Sequence, residues 1–482
     1  MRFTVNAIRP VNRLPSEVLN EIFASLHPRI LRCYRPLIHA AHVCSLWRNV
    51  ILSTPGHWTW VNPKWPNLLS LSLRLSEPAG IEAEVSTLRD FTHSFVDDLL
   101  PHCERITSFT LAFPAATRTS CSRIVSRLRC MPNLHKLSIL ANSGVTSYSL
   151  PILSENMPSL ESVTLPFSPY KQGVIQLAFL TTINITVDNS ALADVIELFV
   201  NNPKLRSATL CGTFRNKSCQ RQHGTVRMNS LRQLGLFSWG ATSLLPFLEL
   251  QKGAHITFGP RSHVEIIGTW DLFPMDPTFF PNLVGLKQVR CYILECDTVM
   301  EFTGPNGGIS LILPRPETYV FGTDSFPVAG VKELYCEFYS TTGTRVVTDE
   351  IKRVIASMVP TMNQLRKVTF ARCTNSMIQV VLSNISRSSP LKTVTLLHCD
   401  DPGPPHDIFQ IVNLFARGRS ELEVRVIWRD PAQQGELLDH ALSKAVKSFW
   451  SVHQSSQETL QAKFEIRREF PASIRKTEVP AA

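Results

Sequence analysis

One apolar pattern constrains this chain more than any other feature, because it returns along most of its length. Hydrophobic residues stand at relative positions 0, +3 and +5 in Leu68/Leu71/Leu73, Ile106/Phe109/Leu111, Leu134/Leu137/Ile139, Leu160/Val163/Leu165, Leu180/Ile183/Ile185, Leu205/Ala208/Leu210, Leu231/Leu234/Leu236, Val331/Leu334/Cys336, Leu365/Val368/Phe370 and Leu391/Val394/Leu396. Consecutive sets from Ile106 to Leu231 follow at spacings of 28, 26, 20, 25 and 26 residues. Segments between the sets read as helices, for example 191–199, 349–358 and 406–417. Strand then helix at a steady period implies parallel strands joined by crossovers, each unit burying its apolar face only against its neighbours. The expected class is α/β, and the expected architecture is a curved solenoid with a parallel sheet.

The pattern resembles the L-x-x-L-x-L strand of leucine-rich repeats, whose period is roughly 20–29 residues. Such repeats often bury Asn or Cys at position +8, in the turn after the strand. Asn142, Cys373 and Cys399 stand there, as does Cys291 if Leu283 opens a degenerate strand. The stretch 240–330 keeps the period only loosely and is rich in Pro and Gly, which predicts irregular repeats or a long insertion. After Arg429 the pattern stops; 436–450 reads as an amphipathic cap helix and 471–482 as a frayed tail.

A chain of 482 residues exceeds one ordinary core, and 44% hydrophobic with 18% charged residues suits a folded protein. No apolar run approaches the roughly 18 residues of a membrane span, and the start has no secretory h-region, so an intracellular protein, cytoplasmic or nuclear, is expected. The 12 cysteines include no Cys-x-x-Cys pair, which argues against a zinc site or a disulfide framework. A net charge of +10 is spread along the chain rather than gathered into an arm, so nucleic acid is not the expected partner. No P-loop, Gly-x-Gly-x-x-Gly, His-Glu-x-x-His or Gly-x-Ser-x-Gly is present, and the tandem acids Asp97-Asp98 and Asp400-Asp401 read as a helix surface and a turn. A non-catalytic protein without metal or cofactor is expected.

The first sixty residues differ from the rest. Leu14-Pro15-Ser16-Glu17-Val18-Leu19-Asn20-Glu21-Ile22-Phe23 starts a helix, with Pro at its first position and Val18, Leu19, Ile22, Phe23 and Leu26 on one stripe. After a short loop ending near Pro36, a second helical pattern runs through Leu37, Ala40, Ala41, Cys44 and Ile51, widened by Val43, Trp47 and Val50. It stops at Ser53-Thr54-Pro55-Gly56. Two strongly apolar helices in about fifty residues bury little surface alone, so part of that face belongs to a partner or to the next domain. Seven Arg face only Glu17 and Glu21 in this region, which suits an acidic protein partner.

Three blocks, Leu14 to Phe23, Val43-Cys44-Ser45-Leu46-Trp47-Arg48, and Ser53-Thr54-Pro55-Gly56-His57-Trp58, resemble the F-box family, specifically its fungal members. His57 stands where those proteins usually carry an apolar residue. The resemblance covers about residues 11–60. It implies docking on a Skp-type linker protein and, through it, a cullin, with Leu14, Pro15, Val18, Leu19, Ile22, Val43 and Trp47 matching the docking surface. It further implies a substrate-recognition adaptor of a ubiquitin ligase; a repeat scaffold acting outside any ligase is the alternative. The expected division is an F-box-like helical module over 11–60, a repeat domain for an unknown protein substrate over 61–430, and a cap and tail over 431–482.

Positions +2 and +4 of each strand point away from the core. Position +4 forms a column of Thr110, Ser138, Thr164, Asn184, Thr209, Thr369 and Thr395, which could serve as a hydrogen-bonding surface but reads more readily as ordinary strand residues on a solvated face. Substrate contact is expected beside it, at Lys136, Gln233, Phe237, Trp239, Tyr339 and Lys367.

Overall fold

A computed structural model describes residues 13–31, 33–85, 93–113, 131–141, 157–165, 177–187, 190–215, 225–239, 244–245, 247–259, 285–293, 297–314, 328–338, 349–397, 415, 422–429 and 464–469. Two compact units span residues 1–230 and 231–482. Together they hold helices and mostly parallel strands, with the helices of the N-terminal module in the first unit.

That module comprises α1 (Ser16–Ala24), α2 (Pro28–Leu31), α3 (Arg35–Ala41), α4 (Ser45–Ser53) and a single 3-10 turn, Pro55–Trp58. Pro15 stands one residue before α1 in an extended conformation, so it precedes the helix rather than opening its first turn. The pattern from Leu37 to Ile51 predicts one helix, but the structure breaks it at His42–Cys44. Cys44 is extended (φ −157°, ψ 169°), and its Sγ accepts the Trp47 N–H at 3.5 Å, capping a new helix. The loop before Pro36 also holds one helical turn, α2.

Leu68, Leu71 and Leu73 lie in a helix, α5 (Pro66–Leu75), and not in a strand. Positions 0, +3 and +5 fit either period, and Pro66 at the first helical position decides for the helix. Leu69 and Leu73 are buried, while Leu68, Leu71 and Leu75 pack partly against the core of the N-terminal module.

From there the sheet of the first unit runs in chain order: β1 (Trp60–Val61), β2 (Ile81–Val85), β3 (Ile106–Phe113), β4 (Lys136–Ala141), β5 (Ser162–Leu165), β6 (Thr182–Thr186) and β7 (Ser207–Arg215). Every neighbouring pair is parallel. The +3 residues stand side by side across the strands, Phe109 with Leu137, then Val163, Ile183 and Ala208, and all are buried. Period and register thus agree, giving a continuous core row.

A second recurrent element escaped the reading of the pattern. The position-0 residue precedes most strands and closes a tight turn by donating its N–H to the carbonyl three residues back: Leu134 to Met131, Leu160 to Met157, Leu180 to Leu177, Leu205 to Asn202, Val331 to Val328, Leu365 to Met362. The acceptor residue is buried each time. Where it is Asn202, the side chain joins two turns: Oδ1 accepts the Leu177 N–H at 3.2 Å and Nδ2 donates to the Leu198 carbonyl at 2.9 Å. Replacing Asn202 by Ala strands these groups. A loss of about 1–3 kcal/mol is expected in urea unfolding of the full chain, with no change from Asn201→Ala as the control.

In the second unit the order is β8 (Gln233–Trp239), β9 (His255–Phe258), β12 (Gly307–Pro314), β11 (Asp297–Gly304), β10 (Gln288–Ile293), β13 (Glu333–Phe338), β14 (Lys367–Ala371), β15 (Thr393–Leu397), β16 (Glu423–Arg429) and β17 (Phe464–Glu469). Only β11 runs against its neighbours, turning tightly into β12 at Pro305-Asn306. Gly304 and Gly307 flank that turn: a Cβ on Gly304 would stand 2.8 Å from the Gly285 carbonyl oxygen, and Gly307 holds φ 124°. Strand β17 shows that the sheet continues into 431–482.

Helices α6 (Leu192–Asn201) and α7 (Asp349–Met358) fall where the spacing predicts them; a further helix, α8 (Asn375–Asn384), follows β14. Apart from residue 415, the segment 406–417 lies outside the described residues, as do 436–450 and 471–482.

The cysteines divide. Cys373 is buried after β14 and its Sγ donates to the Cys336 carbonyl, as a +8 residue should. Cys291 is not at +8: the set here is Leu286/Val289/Cys291, so it occupies +5, in register with Cys336. Burial pushes the Cys291 thiol up to about 12 and Cys336 well above its ordinary value, which leaves both unreactive. Leu283, Asn142 and Cys399 lie outside the described residues.

Candidate functional site

Three surfaces carry the residues singled out above. The first is the N-terminal module, whose core joins Leu19, Phe23, Tyr34, Leu37, Ile51, Trp58 and Trp60. Helix α1 buries Leu19 and Phe23 fully, but the flank beside them, about 100° round the helix, is apolar as well. Val18 and Ile22 are 42% and 43% exposed there. Pro15 is exposed and Leu14 half-buried against the core. Trp47 of α4 meets the Phe23 ring edge-on at 5.1 Å between centroids, which brings α4 beside α1. Val43, just before α4, is 52% exposed.

Of the seven residues matched to docking, Pro15, Val18, Ile22 and Val43 thus present apolar surface, Leu14 and Trp47 are partly covered, and Leu19 lies inside the core. Leu46, Leu52 and Ile30 are exposed too and were not singled out. Leu46 stands within the Val43–Arg48 block, so the block itself carried the signal.

The module is tied to the sheet without an intervening linker. Tyr34 donates its hydroxyl to the Trp60 carbonyl and accepts one from Ser72 Oγ at 3.3 Å; burial raises its pKa to about 12. Trp60 Nε1 donates to Glu84 Oε2 at 3.1 Å, and Arg29 pairs with Glu82 at 2.7 Å. Arg105, at the start of β3, donates to the Leu73 and Ala79 carbonyls and to Ser76 Oγ, holding α5 and the turn after it.

The remaining residues lie on sheet faces opposite the core rows, each unit having its own. In the first unit, Thr110, Ser138, Thr164, Asn184 and Thr209 form one in-register row, and Ser108, Lys136, Ser162, Thr182 and Ser207 the next. Lys136 is exposed on this face, whereas Ser138 is buried among its neighbours.

In the second unit Gln233 and Lys367 are exposed and Phe237 is half-buried, with Gly259, just past β9, leaving room for its ring. Thr369 and Thr395 are buried side by side and Ser138 is buried too, whereas Asn184 is exposed and Thr110, Thr164 and Thr209 are half-buried, so the column is open only in part. Trp239 belongs to β8, but its side chain lies outside the described residues, as does Tyr339 altogether.

A polar cluster on that face was not singled out by the repeat reading. Arg290 stands opposite Glu301 and Tyr335 in register, the Tyr292 and Tyr335 rings lie 6.3 Å apart, and Tyr335 donates to Glu337 at 2.8 Å. Burial raises the Tyr292 pKa, a shift that its bond to Arg290 opposes. Nearby, His255 Nε2 lies 2.7 Å from Ser310 Oγ, and burial lowers the His255 pKa against the charge of Glu301. Ser310 is buried and Glu301 acts on the ring through its charge alone, so the pair ties β9 to β12 rather than presenting a nucleophile.

Among the described residues no group of His, Cys, Asp and Glu is placed to hold a metal ion, and no helix is long and apolar enough to cross a membrane. No curated protein matches the chain. The family model for the F-box domain matches residues 11–59, the span of the four helices and the 3-10 turn. This N-terminal segment is therefore an F-box domain.

Proposed function

We propose that the chain is a substrate-recognition adaptor of a Skp–cullin–F-box ubiquitin ligase, of the fungal kind, acting in the cytoplasm or nucleus. The carrying observation is the F-box domain, with an apolar stripe on α1 that its own chain leaves uncovered. Leu14, Pro15, Val18, Ile22, Val43 and Trp47 seat the Skp-type linker, and Leu19 supports the seat from beneath. Residues 61–430 act as a leucine-rich-repeat-like solenoid whose in-register strands support this reading. Substrate binds the sheet faces and their loops, through Lys136 in the first unit and Gln233, Phe237, Trp239, Tyr339 and Lys367 in the second. Residues 431–482 close the array.

Such an adaptor performs no chemistry. It holds a substrate lysine near a ubiquitin-charged enzyme, and proximity raises the effective concentration of the reacting groups. Reconstitution with linker, cullin, RING subunit and charged carrier enzyme tests this: ubiquitin transfer to a captured substrate is expected only with all present, and should vanish when any one is omitted. Transfer by this chain and the charged enzyme alone would overturn the non-catalytic reading. Full transfer without the linker would favour a scaffold outside the ligase.

A further inference from the structure

The F-box domain holds two histidines around one turn, His27 before α2 and His57 within the 3-10 turn. His27 is fixed as the neutral imidazole by two opposed hydrogen bonds. Its Nδ1 accepts the Arg29 N–H at 3.2 Å, capping α2, so the proton must sit on Nε2, which donates to the Gly56 carbonyl at 3.1 Å. Thr59 Oγ1 lies 3.4 Å from the same nitrogen. One ring thus clasps the start of α2 to the Pro55–Trp58 turn.

That turn in turn holds α1. His57 is buried, edge-on to the Phe23 ring at 6.3 Å, and its Nε2 is 3.3 Å from Asn20 Oδ1. Thr54 Oγ1 is 2.9 Å from the same oxygen. Asn20 belongs to the helix that presents Val18 and Ile22, so the two histidines stand between α2 and the exposed stripe.

We propose that His27 is a proton-sensitive latch for linker docking, closed while its ring is neutral and opened by protonation of Nδ1. A proton there turns the acceptor of the α2 cap into a donor facing the Arg29 N–H. The charged groups around the ring are Arg29, on its own segment, and Glu82, from β2, which are paired with each other, and His57 across the turn. Glu82 favours the protonated ring, but burial outweighs it and holds the His27 pKa below the ordinary 6.5; burial and the neighbouring His27 do the same for His57. The sign follows: the neutral rings contribute fully above the ordinary 6.5, and that contribution is lost as pH falls through the lowered pKa values of the folded chain. The latch rests on the docking reading above and adds a regulation to it.

The test is the affinity of the full chain for purified Skp-type linker at pH 7.5 and pH 5.5, wild type against His27→Asn. Asn still caps α2 but does not titrate. Wild-type affinity is expected to fall about tenfold further than that of H27N between the two pH values, while His27→Lys, a permanent charge, binds weakly at both. Should H27N lower the melting temperature at pH 7.5, His27→Gln takes its place. Parallel profiles for wild type and the neutral variant, with binding intact at pH 7.5, overturn the latch alone. No linker binding by wild type at pH 7.5 overturns the docking reading and the latch together.

Discussion

The double variant Val18→Glu/Ile22→Glu should lose linker binding by about a hundredfold or more, because it buries two unpaired carboxylates in an interface, at a cost of several kcal/mol. The fold should hardly notice. Both positions are more than two-fifths exposed, they lie on a flank of α1 about 100° round from Leu19 and Phe23, and Glu is a good helix former. The melting temperature of the full chain is therefore expected to stay within a degree or two of wild type on the scale of exposed-site changes. A pull-down with purified linker, read beside a thermal melt, separates the outcomes. Undiminished capture would remove the α1 stripe from the interface.

Phe23→Ala makes the complementary case. Phe23 is fully buried and contacts the Trp47 and His57 rings, so its removal opens a cavity at the junction of α1, α4 and the 3-10 turn. A loss of about 3–5 kcal/mol is expected. A module of this size has little stability to spare, so docking should disappear with the fold, in contrast to the surface variant. Hydrogen exchange is the direct readout: amides of α1 and α4 should lose protection, while those of the second unit, 231–482, should keep theirs. Protection of α1 equal to wild type would show that the core is not centred on Phe23.

How much of this was legible depends on whether a residue's role follows from its own spacing. The +3 and +5 positions of β3 to β7 were legible because a strand with one buried face must alternate, and register then follows from the period. Leu68, Leu71 and Leu73 show the limit: the same spacing fits a helix, and Pro66, lying outside the set, made the choice. Cys291 shows another. Leu283 and Leu286 both precede it at plausible distances, and only pairing with Cys336 assigns it to the strand. The buried turn residues Met131, Met157, Leu177 and Asn202 carried a usable signal, an apolar or amide residue three before each position 0, hidden by the stronger pattern beside it.

On the docking surface, Leu19 and Val18 illustrate a different limit. An apolar stripe five residues wide predicts a buried face, but which of two adjacent members faces inward depends on the angle at which α1 meets α4. Helix α4 meets α1 from a new start at Cys44, a break that periodicity alone ran straight through. The Arg290–Tyr292–Glu301–Tyr335 cluster depends on strand order out of sequence, β12 then β11 then β10 then β13. No reading of consecutive residues places those four together.

Trp60 belongs to two structures at once, the core of the helical module and the first strand of the sheet. A joint built this way has no bearing to turn on. Load applied to α1 passes into β1 and β2 through Tyr34, Glu84 and the Arg29–Glu82 pair rather than dissipating in slack chain. The bearing of the first strands, measured from α1, is thereby set by covalent geometry and packing. On the adaptor reading proposed above, a substrate held on those strands would be aimed as well as tethered, and its lysines within the swept direction would be reached in preference to equally close ones outside it.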